Sequence, residues 1–458
     1  MWQSYDRRRR QEGGLGLAEI LGAFSHALDL TEGQPAGHCM RACWIGYHVG
    51  RELGMPAAEL GELYYAILLK DLGCSSNAAR ICSLYLVDDL AFKRDFKQID
   101  GSLPAALRFV LGHTGLKSGL AERFRAIIHI LQNGGEIARE LIETRCERGA
   151  AIARKMRFSE AVAIGIRDLD EHWNGGGKPS GLAGAAIHPY ARVALLAQVA
   201  DVFFTSAGPD AALREIKGRR GDWFDPAVVD AFARAARRDG FWPAGDAAAL
   251  EAQLFSLPPA HEVQSVDDDY LDEIATAFSE VIDAKSPFTA GHSRRVALFS
   301  DMIAEELGLA DDHRRWLRRA ALLHDIGKLG VSNAILDKPG KPDEEEWTAL
   351  RSHAALTETI LLRIAAFGDM AAVAAAHHER LDGRGYPRGL AGAAIALESR
   401  ILMAADIFDA LTAERPYRGP LPISKALAIM RADLGIAIDP VCFAALEAGL
   451  ARLDAAAA

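Results

Sequence analysis

The heptapeptide Gly181-Leu-Ala-Gly-Ala-Ala-Ile187 returns letter for letter as Gly389-Leu-Ala-Gly-Ala-Ala-Ile395, 208 residues later. An internal repeat constrains a fold more tightly than composition does, because one arrangement of elements must serve twice. Further pairs follow in the same order. Gly37-His38 matches Gly291-His292, Glu52-Leu-Gly54 matches Glu306-Leu-Gly308, and Leu68-Leu-Lys-Asp-Leu-Gly73 matches Leu322-Leu-His-Asp-Ile-Gly327, each pair 254 residues apart. Asp225-Pro226 matches Asp439-Pro440. The 458 residues therefore read as two homologous units, 15–238 and 267–458, joined by a linker over 239–266 that carries Pro243, Pro258 and Pro259. One short helix is expected in that linker, around 247–255.

Inside each unit the apolar spacing is helical. His292, Val296, Phe299 and Ile303 fall at i, i+4, i+7 and i+11, and Leu317, Ala321 and His324 follow the same period. Strand-like alternation is scarce, so each unit is expected to be an all-α bundle of six or seven helices. Half of the chain is hydrophobic and a quarter charged, enough for a sizeable core.

With 52 Lys+Arg against 62 Asp+Glu the net charge is −10, which argues against a protein that coats DNA, RNA or anionic lipid by bulk charge. A small anionic ligand held by a few placed cations stays open. The six cysteines, Cys39, Cys43, Cys74, Cys82, Cys146 and Cys442, form no CxxC pair and suggest a reduced compartment. Four arginines near the N-terminus have no apolar stretch behind them, and no apolar run is long enough to span a bilayer. A cytoplasmic protein is expected.

Five histidines fall at informative places: His292, His324, His353, His377 and His378. Asp325 follows His324 directly, and Asp406 lies in Ala404-Ala-Asp-Ile-Phe-Asp409. A lone inward histidine is usually a satisfied core residue. Five of them with two aspartates in one bundle cost several kcal/mol to bury unless a cation satisfies them. Imidazole and carboxylate without thiolate suit Fe, Mn or Ni better than structural zinc.

His324-Asp325-Ile-Gly-Lys328, together with His377-His378-Glu379-Arg-Leu-Asp382-Gly-Arg-Gly-Tyr-Pro387, resembles the paired signature of the HD-GYP phosphodiesterases. These bacterial enzymes hydrolyse cyclic dinucleotides, chiefly cyclic di-GMP. The resemblance covers about 190 residues, from Asp267 to the C-terminus. It implies two tandem helical bundles of the HD superfamily, and two divalent transition metal ions bridged by Asp325. One ion takes His292, His324, Asp325 and Asp406; the other takes Asp325, His353, His377 and His378. Family members with a third ion use a carboxylate one helical turn before the first histidine, where this chain has Phe288. Two ions are therefore expected. The resemblance assigns Lys328 to phosphate or a bridging water, and Asp382, Gly385 and Tyr386 to the rim. It gives Arg415 and Arg418 to a phosphate or a guanine edge, which suits the arginine fork.

The first unit reads as a degenerate copy. At an offset of 254, Lys70 replaces His324 and Cys74 replaces Lys328; at 208, Arg145, Leu169 and Asp170 replace His353, His377 and His378. His38, Asp71 and, after a three-residue shift, Asp201 are expected to remain of the ligand set. The tyrosine-proline stretch becomes Gly177-Lys-Pro179. Lys70 and Arg145 then stand in for cations, and the unit is expected to be non-catalytic, serving as half of an internal pseudo-dimer or as a regulatory site. Cys39 and Cys43 at i, i+4 read as core packing.

Three functions compete. The first is a metal-dependent phosphodiesterase of cyclic di-GMP, forming the linear dinucleotide and then GMP. The second keeps the chemistry and changes the substrate to cyclic GMP-AMP, a selectivity known among tandem members of the family. The third is a sensor or scaffold without turnover, against which the complete ligand set of the second unit argues. A homo-oligomer is compatible with all three.

Overall fold

A computed structural model of the chain describes residues 15–99, 103–116, 118–243, 247–257, 265–416 and 418–457. The fold is all-α; the only strand pieces among these residues are the two-residue segments Leu15–Gly16 and Ser265–Val266. Two compact units divide the chain, one spanning Gly16–Ser265 and the other Val266–Ala458 together with Leu15. The described residues form 12 α-helices in the first unit and 9 in the second, more than the six or seven expected of each. Short helices such as Asn333–Leu336 and Gly368–Ala375 are too brief to show an apolar period in sequence.

In the first unit the helices that carry the argument are α1 (Leu17–Thr31), α2 (His38–Glu52), α3 (Ala57–Leu68), α4 (Asp89–Phe96), α5 (Leu120–Lys155) and α6 (Pro189–Ala207). A further helix, α7 (Ala247–Phe255), packs on α1 and α2. The stretch expected as a linker is therefore largely part of this unit. Phe241, Leu250, Leu254 and Leu257 are buried, and the Trp44 indole donates to the Phe241 carbonyl at 2.7 Å. The prolines suggested a tether, but the apolar residues between them supply a packing face. Pro258 and Pro259 lie outside the described residues.

The second unit is built on α8 (Asp268–Asp283), α9 (His292–Glu306), α10 (Asp311–Leu323), α11 (Glu344–Leu361), α12 (Gly368–Ala375) and α13 (Leu397–Thr412). On α9, His292, Val296 and Ile303 of the expected stripe are buried, whereas Phe299 is only half-buried and Ser300 beside it faces the core. Helix α11 starts at a reciprocal capping box: Asp343 accepts from the Glu346 backbone and Glu346 from the Asp343 backbone. Helix α13 is buried along most of its length, from Ser399 to Asp409, and forms the centre of the bundle. Helix α10 ends at Leu323, so Lys328 stands in a following 3₁₀ turn, Ile326–Gly330, rather than on the helix.

A close backbone approach fixes that turn. A Cβ on Gly327 would sit 2.0 Å from the His353 carbonyl oxygen, so only glycine lets the segment lie against α11. The Thr357 hydroxyl completes the clamp, accepting from the Gly327 amide at 3.0 Å and donating to the His324 carbonyl at 2.9 Å. Gly73 meets the Arg145 carbonyl in the same way, at 1.9 Å.

The units part company between those points. The offset drops from 254 to 208 between Gly73 and Arg145, so the first unit carries 46 extra residues there. They form α4, its neighbouring short helices and the leading turns of α5, around a small core of Ile81, Phe92 and Phe109.

Candidate metal centre

Helix α9 brings His292 to the bundle interior, the end of α10 brings His324 and Asp325, α11 brings His353, the turn after α12 brings His377 and His378, and α13 brings Asp406. All seven converge. His353, His377 and His378 lie within 4.8 Å of one another; so do His292, His324 and Asp406, and so do His324, Asp325 and His377.

Asp325 stands between two sets of imidazoles. Its Oδ2 lies 3.3 Å from Nε2 of both His292 and His324, while its Oδ1 lies 3.5 Å from Nε2 of His353 and 3.7 Å from that of His377. Asp406 Oδ1 is 3.4 Å from His292 Nε2 and 3.9 Å from His324 Nε2.

The outer ring nitrogens are committed elsewhere. His292 Nδ1 pairs with Asp409 at 2.7 Å, and the Nδ1 atoms of His324, His353 and His377 lie 2.7, 2.6 and 2.5 Å from the carbonyls of Ala321, Leu350 and Ala374. A backbone carbonyl accepts only from N–H, so these rings turn bare Nε2 lone pairs inward. His292 Nε2, His324 Nε2 and Asp325 Oδ1 are buried without a hydrogen-bond partner. Orphaned buried acceptors around one carboxylate fit divalent cations, which would satisfy them all.

The electrostatics point the same way. Burial lowers the pKa of His353 to about 4 and that of His377 to about 3, leaving both rings neutral, as metal ligation requires. At His292 burial is outweighed by Asp325, Asp409 and Asp406, which raise the value to about 9, so these carboxylates draw positive charge to this place, as a proton where no cation supplies it. Asp325 is held well below the usual carboxylate range: burial opposes this, but Lys328 and the surrounding imidazoles of His324 and His292 prevail.

The centre lies beside a cavity of about 300 Å³ lined by Asp325, His353, His378 and Asp406 together with Phe288, Trp347, Tyr386 and Pro416. Of the substrate residues expected, Lys328, Tyr386 and Arg415 line it. Lys328 Nζ lies 2.5 Å from Asp325 Oδ2. Asp382, Gly385 and Arg418 are not among the lining residues. Asp382 pairs with Arg380 at 2.9 Å and accepts from the Arg384 amide at 3.0 Å, closing its own loop. A Cβ on Gly385 would lie 2.4 Å from Glu379 Cα, so this glycine packs the loop on itself. The Arg418 guanidinium donates to the carbonyls of Ala410 and Leu411, both at 2.8–2.9 Å, and so caps the end of α13.

The first unit repeats the frame with different contents. His38 Nδ1 meets Asp201 at 2.7 Å and Arg41 joins it at 2.6 Å, as His292 and Arg295 meet Asp409. Asp201 is thus the counterpart of Asp409, which orients a histidine, and not of the inward Asp406. The three-residue shift that kept it in the ligand set is unnecessary, and the position of Asp406 is taken by Gln198. Sequence reasoning missed Asp409, although the repeat of His38 with Asp201 and His292 with Asp409 at offsets of 254 and 208 was there to find.

Cations fill the rest of that pocket. Lys70 pairs with Asp71 and Arg145 with Asp170. Two more lysines arrive from the extra segment: Lys93 donates to the Cys74 carbonyl at 2.9 Å, and Lys97 lies 2.9 Å from Glu32. Glu32, Asp71 and Cys74 are close enough to chelate, but Lys70, Lys93 and Lys97 already neutralise the two carboxylates.

Comparison with known proteins bears on both units. The HD domain family model matches residues 119–228 and 276–441. The 3′3′-cGAMP-specific phosphodiesterase 3 of Vibrio cholerae serotype O1 is 54% identical over 434 residues, 95% of this chain and 94% of that protein. The cyclic di-GMP phosphodiesterase response regulator RpfG of Xanthomonas campestris pv. campestris is 37% identical over 212 residues, 45% of this chain and 54% of its own. Among solved structures, a cyclic GMP-AMP-specific phosphodiesterase of V. cholerae (V-cGAP3) superposes with a TM-score of 0.65 at 49% identity, covering 95% of this chain and 98% of that one.

Proposed function

Because this chain belongs to the HD domain family and, within it, to the HD-GYP metal-dependent phosphodiesterases, we propose that its second unit opens a cyclic dinucleotide, with 3′3′-cyclic GMP-AMP as preferred substrate. One observation carries the choice. The likeness to a 3′3′-cGAMP-specific enzyme spans both units at 54% identity, whereas the likeness to RpfG covers 45% of the chain. This reverses the order in which sequence motifs alone place cyclic di-GMP and cyclic GMP-AMP. Cyclic di-GMP stays the second reading, supported by relatives such as RpfG and the cyclic di-GMP phosphodiesterase of Thermotoga maritima, 37% identical over 182 residues.

His292, His324, Asp325 and Asp406 would hold one divalent ion, and Asp325, His353, His377 and His378 the other, with Fe or Mn favoured by the donor set. When bound, such a pair neutralises phosphoryl charge and makes water a nucleophile near neutral pH. The chain's own groups do the rest. Lys328 and Arg415 line the cavity as cations for the non-bridging phosphate oxygens, and Tyr386 closes its side. Water adds to phosphorus as the P–O3′ bond breaks, and the departing oxygen leaves as a 3′ hydroxyl. No helix among the described residues is long and apolar enough to cross a membrane.

The test is product analysis on anaerobically purified protein given each cyclic dinucleotide separately. Faster opening of 3′3′-cyclic GMP-AMP with about two Fe or Mn per chain supports the reading. Equal or greater kcat/KM for cyclic di-GMP moves the second reading to first, and tight binding without product makes the protein a sensor.

A further inference from the structure

We infer that Trp347 is a base-stacking platform of the cavity, holding one purine of the substrate against its indole. The inference rests on the cyclic dinucleotide reading above and adds a residue to it. Trp347, Leu350 and His353 stand at i, i+3 and i+6 on α11, so one face of that helix carries all three. All three line the cavity. His353 is 1% exposed, whereas Trp347 is 42% exposed. A tryptophan left this open on a cavity wall has forgone much of its available burial, and Trp316 in the same unit is fully buried.

The indole is also braced. The Arg351 guanidinium, one turn further along α11, lies 5.5 Å from the ring centroid of Trp347 and 5.5 Å from that of Tyr386. One cation thus ties two aromatic rings into a wall, since each ring face attracts it. Tyr386 in turn lies 4.8 Å from the His378 ring, so the wall is anchored to the metal-ligand histidines. Phe288, Leu336 and Pro416 add apolar surface to the same cavity. A cyclic dinucleotide needs such a surface: the phosphate seated at the centre is joined through one ribose to a flat, weakly solvated base. The first unit has Arg139 where the second has Trp347, and Glu143 where it has Arg351, so the wall exists only beside the complete ligand set.

Stacking is tolerant of base identity, because every base offers a π-face. Trp347 should therefore supply affinity without choosing between guanine and adenine. The test compares wild type, Trp347→Ala and Trp347→Phe on three substrates: 3′3′-cyclic GMP-AMP, cyclic di-GMP and a small dialkyl phosphorothiolate, an activated phosphodiester analogue with no aromatic ring. Trp347→Ala is expected to raise KM for both cyclic dinucleotides by roughly ten-fold and by the same factor, with kcat within about two-fold. Trp347→Phe should recover most of the loss, and cleavage of the small ester should stay unchanged. An unchanged KM for the cyclic dinucleotides overturns the platform while leaving the function standing. Equal loss on the small ester also overturns it, since Trp347 would then only support α11 and His353. If wild type cleaves the small ester but neither cyclic dinucleotide, the substrate reading fails and takes the platform with it.

Discussion

The two units hold a histidine by the same aspartate and arginine, yet one surrounds it with bare acceptors and the other with ion pairs. In the second, His292 faces Asp325 and Asp406; in the first, His38 shares its pocket with Lys70 beside Asp71, and Arg145 beside Asp170. The backbone frame, down to the contact of Gly327 with His353 and of Gly73 with Arg145, is kept. A buried anion can be satisfied by a bound cation or by a covalently attached one. The first unit shows the attached solution, and the second keeps the bare acceptors that the bound one requires.

The harshest way to break that comparison is to cut the same carboxylate in each unit. Asp325→Ala should abolish turnover, by a thousand-fold or more, and remove most metal, because its two oxygens face both sets of imidazoles. Asp71→Ala should leave the metal content untouched but strand Lys70, costing about 3–5 kcal/mol of stability. Metal counting and thermal unfolding of both variants decide it; metal loss in Asp71→Ala would mean that the first unit is a metal site after all.

Lys328→Ala comes next. With its ammonium 2.5 Å from Asp325 but also on the cavity wall, the variant should keep about two metals and lose roughly a hundred-fold in kcat. Metal loss equal to that of Asp325→Ala would make the lysine structural.

A finer contrast uses the orienting aspartates. Asp409→Asn should weaken metal binding roughly 10–100-fold, because His292 loses the partner of its Nδ1. Asp201→Asn should leave metal affinity alone and lower only the stability of the first unit, where Arg41 and His38 lose their anion. A metal titration monitored by calorimetry separates the two.

The smallest expected effect is in pH. Burial, reinforced by the charge of Lys70, lowers His38 to about 4, against an ordinary value near 6.5. The unfolded chain then binds the extra proton, so this stabilisation is complete above pH 6.5 and is lost as pH falls towards 4. Asp29, raised by burial to about 6, runs the other way: its contribution is present below the ordinary carboxylate value near 4 and is lost as pH rises through 6. Denaturant unfolding of the first unit, followed by hydrogen exchange on peptides of α2, should show a shallow decline from pH 7 to 5 that His38→Gln flattens. A slope unchanged in that variant would assign the acid sensitivity elsewhere.

What could be read in the sequence follows from chemistry that leaves a local trace. Histidine and aspartate are costly to bury, so five histidines with two aspartates in one bundle marked the side chains that the fold brings together. The tandem arrangement of motifs was legible for the same reason, since identical strings need no structure to align. Asp382, Gly385 and Arg418 do not line the cavity, because loop geometry decides their direction: each looks like a binding residue in a string, but each closes its own turn or caps a helix. The packing of 239–243 and 247–257 was hidden by prolines that mark turns within a packed segment as readily as within a tether. Lys93 and Lys97 were invisible for a deeper reason: they reach Cys74 and Glu32 from an insertion, across tertiary distance that no spacing rule encodes.

The fastening of the outer ring nitrogens has a kinetic consequence. His324, His353 and His377 are pinned by carbonyls of their own helical turns and His292 by Asp409, all independent of any ion. Rings held this way need no rearrangement to receive an ion, so loading should proceed by simple capture, first order in free metal with no slow conformational phase. Chelators should correspondingly strip the ions from a chain that stays folded and can be refilled, so that cellular metal supply alone could set how much of the enzyme is switched on.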